Sequence, residues 1–226
     1  MNIGVLLSGN GVYDGSEIQE SVFTLLSIDQ HGANAICIAP NVTQHHVVNH
    51  ITGEEMQEQR NVLIESARIA RGNIRSIDEV DPKDLDALII PGGFGAAKNL
   101  TKWAFSGPEG DILPGVKDLI QSIHADGKFI VGLCMGPTVI AKAFESLQEH
   151  VHLTVGTDKE PSPYEITEIS EGMEKVGAIA EMKSVKEISV DLENKVITAP
   201  CYMMEATISE IRNNIKMAVD KLFELM

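Results

Sequence analysis

A run of apolar strand-formers, Phe129-Ile130-Val131-Gly132-Leu133, stops at Cys134, and Met135-Gly136-Pro137 then leads at once into the helical stretch from Thr138 to Phe144. A cysteine at such a strand-to-helix turn stands at the carboxyl edge of a sheet. The unpaired N–H groups and the dipole of the following helix favour its thiolate there. Gly136 allows close approach, and Pro137 falls in the first helical turn, where no N–H donor is lost. The pattern is that of a nucleophile elbow built around sulfur.

Two further loops should meet that cysteine. The first, Ser8 to Glu17, carries Gly9, Gly11 and Gly15 before a helix opens near Ser16. Ser16-x-x-Gln19 reads as a capping box, and Glu17 in the first turn suits the helix dipole without any chemical role. Because its loop is expected to face Cys134, Glu17 is also the candidate carboxyl group to hold or move the thiol proton. The second loop, Pro91-Gly92-Gly93-Phe94-Gly95, lacks the Lys-Ser/Thr ending of a nucleotide cradle and the spacing of a dinucleotide fingerprint. Its better use is an oxyanion hole, with the N–H of Gly93 joined by that of Met135; its bland alternative is a tight turn needing two glycines.

The histidines argue by their positions. A Cys-His-Glu hydrolytic triad needs an imidazole near the sulfur, yet residue 135 is methionine and no histidine follows His152. His45, His46 and His50 share one polar stretch without a convincing further metal ligand, so no metal site is expected. Segment 41–57 is longer than an ordinary connection and has neither helix nor strand period. Either it packs over the active-site edge, of its own subunit or of a partner, with His50 at the rim, or it is an excursion far from Cys134; Gly11 and Tyr13 are further pocket candidates.

The elements that would position these loops read as strand 2–8, helix 16–30, strand 34–39, helix 58–71, strand 87–90, helix 114–126, strand 129–133 and helix 137–147. Continuous apolar strands alternating with amphipathic helices signal an α/β fold with a mostly parallel sheet covered on both faces. Ligands of such folds sit beyond the carboxyl ends of the strands. Residues 157–177 resist assignment. Residues 187–191 and 195–198 flank Leu192-Glu193-Asn194 as a β-hairpin, and a helix from 204 to 225 follows.

Of the 226 residues 43% are hydrophobic, enough for one core, and a single domain spanning 1–226 is expected. Thirty-three acidic against 18 basic residues give a net charge of -15. That charge repels nucleic acid and anionic membrane. Three scattered cysteines suit a reducing compartment, and strand-like sequence begins at residue 2 without a targeting pattern, so a cytoplasmic protein is expected.

The joint pattern of Pro91 to Gly95, Cys134-Met135-Gly136-Pro137 and an acid in the first loop resembles the ThiJ/PfpI branch of the class I glutamine-amidotransferase-like superfamily. Gly11 to Ile18, Asn49 to Glu54, Arg60 to Glu65, Gly92 to Asn99 and Thr198-Ala199-Pro200 with Tyr202-Met203 narrow the likeness to the ElbB group of isoprenoid-biosynthesis or glyoxalase-like proteins. The resemblance implies a flavodoxin-like three-layer sandwich and a cofactor-independent glyoxalase III-type lyase acting on small dicarbonyls. In it Cys134 is the nucleophile, Glu17 its partner, and Gly93 with Met135 the oxyanion donors. A homodimer is expected. ElbB relatives carry Ile-Ala after the cysteine where this chain has Met135-Gly136, a change that bears on pocket shape more than on main-chain donors. A redox-sensing or regulatory protein with an oxidisable Cys134 is the alternative from another class, and an amidase or peptidase the enzymatic rival.

Overall fold

The computed structural model describes residues 1–147 and 149–226. Five strands of nearly unbroken apolar sequence build the centre: β1 (Asn2–Leu6), β2 (Asn34–Ala39), β4 (Ala87–Ile90), β5 (Phe129–Leu133) and β9 (Val196–Ala199). β4, β5 and β9 are buried along their whole length, as strands covered on both faces must be. Two short strands complete the sheet: β3 (Ile74–Ser76) at one edge and β8 (Ser189–Asp191) at the other. The order is β3-β2-β1-β4-β5-β9-β8, with only β8 antiparallel. The expected C-terminal hairpin is therefore present as β8 and β9, paired from Ser189 with Thr198 to Asp191 with Val196.

Helices α1 (Ile18–Gln30), α2 (Val62–Ile69) and α7 (Ile208–Leu225) pack together on one face, and α4 (Pro114–Ala125) with α5 (Gly136–Phe144) on the other. A four-residue helix, α3 (Trp103–Ser106), follows a single π turn over Ala96–Leu100. The α/β three-layer class read from the sequence holds. The chain leaves β1 toward β2 and β3 and returns through β4 on the opposite side, so the strand order reverses between β1 and β4. The loops that open there, after residues 6 and 90, are those that were to meet Cys134.

Several boundaries move for local reasons. The first helix starts at Ile18 rather than 16, because Ser16 turns inward: its Oγ accepts the Ser8 N–H (2.8 Å), and Glu17 takes over as the cap. The helix expected over 58–71 shortens to Val62–Ile69, capped by Asn61, whose side chain accepts the Ile64 N–H (3.1 Å). Thr207 and Glu210 form a reciprocal capping box that delays α7 to Ile208.

The stretch that resisted assignment holds a helix, α6 (Ile166–Lys175), between β6 (His152–Gly156) and β7 (Ile179–Met182), which pair in parallel as a separate two-stranded sheet. This unit leans on the main sheet through the buried Thr198, whose Oγ1 accepts the Thr154 N–H (2.9 Å), and through Asp191, whose Oδ2 accepts the His152 N–H (2.9 Å). Replacing Thr198 with valine keeps the shape but leaves the Thr154 donor unpaired. We expect Thr198→Val to cost about 1–3 kcal/mol in urea unfolding, whereas a loss below a few tenths would mean that this bond does not tie the two sheets together.

Candidate active site

Cys134 lies one residue beyond β5, with its N–H donating to the Ala199 carbonyl (3.0 Å) of the neighbouring β9. Its φ is +55°, a left-handed value that a non-glycine residue adopts only where the surroundings enforce it. The turn into α5 enforces it here: Met135 is the cap and Gly136-Pro137 the first helical residues. The residue is 5% exposed.

The acid beside it is Glu20, not Glu17. Glu20 lies in the first turn of α1, fully buried. One carboxylate oxygen accepts the Gly92 N–H (3.0 Å), the other the Tyr202 N–H (3.2 Å), and the side chain hydrogen-bonds to the Cys134 thiol. The contact is so close that a Cβ on Gly92 would stand 2.7 Å from both the Cys134 Sγ and the Glu20 Oε2, and 2.3 Å from the Cys134 Cβ. Only glycine fits between the two. Glu17 instead folds back as the cap of α1, its Oε2 accepting the Glu20 N–H, with the wall of a surface hollow around it. The partner assigned to Cys134 from sequence is thus corrected by one helical turn.

Burial, and then the negative charge of nearby Glu17, push the Glu20 carboxyl up to about 8. Burial and then the charge of Glu20 raise the Cys134 thiol, while the N–H groups of Gly93 and Met135 point at its sulfur and pull the other way. The two amides expected to form an oxyanion hole therefore converge on the nucleophile. Gly93 reaches this position with φ +95°, and a Cβ there would stand 2.4 Å from both the Glu17 nitrogen and the Gly15 carbonyl oxygen, so no side chain has room. Burial opposes a charge on either Cys134 or Glu20, and a carboxylate at Glu20 raises the thiol beside it further.

Two hollows share Tyr164 as a wall. One, of about 390 Å³, is lined by Phe94, Trp103, Phe105 and Met135; the other, of about 430 Å³, by Tyr13, Glu17, Tyr202 and Met204. Burial, then the charges of Cys134 and Glu20, push the Tyr164 hydroxyl up to about 12, and its ring meets Phe94 edge-on at 5.8 Å. Tyr164 went unnoticed in the sequence because it lies in a short irregular segment with no pattern to mark it, and Tyr202 was noted only as part of the family resemblance, not as a site residue.

Segment 41–57 braces the first loop. The Val48 N–H donates to Asp14 (2.7 Å), and the His50 ring packs at a tilt of 33° on Tyr13 with centroids 4.9 Å apart. His50 accepts the Tyr13 N–H at Nε2 (3.2 Å), and its Nδ1 bonds the Val48 carbonyl (3.0 Å). His50 thus stands one side chain behind the hollow that Tyr13 lines, and Gly11 lies inside the same loop, its carbonyl accepting the Gly15 N–H (2.7 Å).

No family model matches the chain. The ES1 protein homolog, mitochondrial, of Rattus norvegicus is 39% identical over 227 residues, covering 99% of this chain and 83% of that protein. Glutamine amidotransferase-like class 1 domain-containing protein 3, mitochondrial, of Homo sapiens is also 39% identical, with coverage of 99% and 82%. Among solved structures, an isoprenoid biosynthesis protein with amidotransferase-like domain from Ehrlichia chaffeensis superposes over the whole of both chains with a TM-score of 0.89 at 30% identity. A ThiJ/PfpI domain protein from Brachyspira murdochii, at 15% identity and a TM-score of 0.56, shares the fold. The cytoplasmic placement expected from the sequence is overturned by the curated relatives, which are mitochondrial proteins by name, as is the 29% identical ES1 protein of Danio rerio.

The raised Glu20 carboxyl has a consequence for stability. Between its ordinary value of 4.5 and about 8, the unfolded chain has released this proton while the folded chain holds it, so Glu20 makes stability fall as pH rises through that window. Glu20→Gln removes the titration. Chemical unfolding at a series of pH values should show the variant gaining on the wild type by up to about 1.4 kcal/mol per pH unit between pH 4.5 and 8, whatever constant offset the lost acceptor adds. A difference independent of pH would place the Glu20 carboxyl in an ordinary ionised state.

Proposed function

We propose that this chain, which belongs to the family of the ES1 proteins and of glutamine amidotransferase-like class 1 domain-containing protein 3, is a cofactor-independent glyoxalase that converts glyoxal to glycolate through a covalent adduct on Cys134. The observation that carries this reading is a buried Cys134–Glu20 pair with two main-chain N–H groups aimed at the sulfur. Such a constellation can take one proton, hold one oxyanion and pass the proton back.

The Cys134 proton moves to Glu20 as the sulfur adds to one aldehyde carbon. The resulting oxyanion lies against the Gly93 and Met135 N–H groups, then takes up a proton to give a hemithioacetal. Glu20, ionised again, removes the hydrogen from that carbon and returns a proton to its neighbour by way of an ene-diol. One carbon is oxidised and the other reduced, leaving a 2-hydroxy thioester that water cleaves to free the thiol. Methylglyoxal would give lactate by the same steps. Amide hydrolysis fits less well, because the groups acting most strongly on the thiol include no histidine to protonate a departing amine.

Glyoxal turnover should vanish in Cys134→Ala and fall about 10²- to 10⁴-fold in Glu20→Gln. Cys37→Ala, on β2 and away from the loops of the site, should keep it. Glu17→Gln should lose far less than Glu20→Gln, since Glu17 caps the helix. The reacting form is the pair with one proton removed, so the specificity constant should climb from pH 6 and level off above about 8. Turnover retained without Cys134, or a rate that falls over this range, would dispose of the mechanism.

A further inference from the structure

A second cysteine lies beneath the site. β5 and β9 run in parallel with Leu133 opposite Ala199, and each strand ends in a left-handed cysteine: Cys134 one residue on, Cys201 two residues on with φ +49°. That register puts Cys134 level with Pro200 and Cys201 one residue beyond it, on strand ends about 4.8 Å apart. The Cys134 N–H, already bonded to Ala199, also faces the Cys201 sulfur, which brings the second thiol against the backbone of the first. Cys201 is completely buried, and its backbone is fixed by a buried asparagine: the Asn214 Oδ1 accepts the Cys201 N–H (2.9 Å) while its Nδ2 donates to the Glu187 carbonyl (2.9 Å). Glu20 touches this turn as well, through the Tyr202 N–H.

We infer that Cys201 is a resolving thiol, closing a reversible disulfide with Cys134 after a hydroperoxide has oxidised the latter. The Cys134 sulfur, its proton on Glu20, attacks the distal oxygen of the peroxide: the S–O bond forms as the O–O bond breaks, and the departing hydroxide or alkoxide takes the proton from Glu20. A sulfenic acid forms, and water or an alcohol leaves. The Gly93 and Met135 N–H groups that face the sulfur can hold the sulfenate oxygen. Cys201 then gives its proton to Glu20, its sulfur attacks the Cys134 sulfur, and hydroxide leaves as water with that proton. Two thiols and one peroxide become one disulfide, one water from the second step and one water or alcohol from the first, and a cellular dithiol reverses the change. Because Cys201 has no open route to solvent, the second step outpaces over-oxidation only if the two sulfurs are prepositioned. Cys37, on β2 across β1 and β4 from the site, takes no part.

The test needs no assay of carbonyl turnover. Wild-type protein treated with equimolar hydrogen peroxide should become lighter by two hydrogens, lose two of its three thiols and yield a Cys134–Cys201 linked peptide in a non-reducing digest. Dithiothreitol should restore all three thiols. Cys201→Ala should instead add one oxygen at Cys134, trapped by dimedone, then a second that dithiothreitol does not remove, while Cys37→Ala behaves as wild type. Sulfinic acid at Cys134 in the wild type with Cys201 still free to alkylate after denaturation would overturn the proposal, as would a link that forms equally with Cys37. The wild-type result stands even if Cys201→Ala folds poorly.

Discussion

A carboxyl group stripped of water, Glu20, is the constraint around which the loops of this protein are arranged. An isolated buried carboxylate is prohibitively unstable. The fold meets it with main-chain donors from two separate loops, Gly92 and Tyr202, and with the thiol of a third, Cys134. Each donor lies just beyond the carboxyl end of a strand, β4, β9 and β5 respectively, while the acid comes from the helix that follows β1. One side chain thereby fixes the relative position of four loops.

That arrangement explains why Gly92 admits no substituent and why Cys134 accepts a left-handed backbone. The sulfur must reach the carboxylate across the Gly92 Cα, and the turn must leave the Met135 N–H facing the sulfur while β5 stays paired with β9 through Ala199. Strain of this kind, of order 1–3 kcal/mol per residue, persists only where surrounding contacts over-determine it. The burial of α5, complete from Gly136 to Phe144, supplies those contacts. Stability is thus surrendered in two places, at a buried acid and a strained turn, and both lie at the reacting atoms.

How much of this could be read from the chain differs element by element. The cysteine elbow, the Gly-Gly turn and the hairpin announce themselves because each needs residue types that few other settings require. Glu20 does not, and the reason is the inverted character of α1. Its buried face is Glu20, Ser21, Thr24, Ser27 and Ile28, while Ile18, Val22 and Leu26 lie outward at four-residue spacing. Apolar periodicity therefore points away from the core, and the acid that matters looks like a solvated one. A clue was present: three small or hydroxylated residues on the Glu20 face permit the close approach of α7 that α1 makes. The β6-α6-β7 unit was obscured by the exposed, acidic sequence of its outer surface, since only one side of it meets the sheet.

The pairing of Cys134 with Glu20 also decides what the sulfur can do when no carbonyl is bound. A thiol kept neutral by burial is slow toward oxidants, and one whose proton can pass to a neighbouring carboxylate is not. The fold holds both conditions in one place, because the charge that Glu20 surrenders on protonation is the charge that would otherwise oppose a thiolate. In both proposed reactions the same two main-chain N–H groups, of Gly93 and Met135, would face the arriving oxygen, from an aldehyde or from a peroxide. On the proposed reading, substrate choice rests less on the reacting groups than on the aromatic and methionine walls of the hollows that share Tyr164.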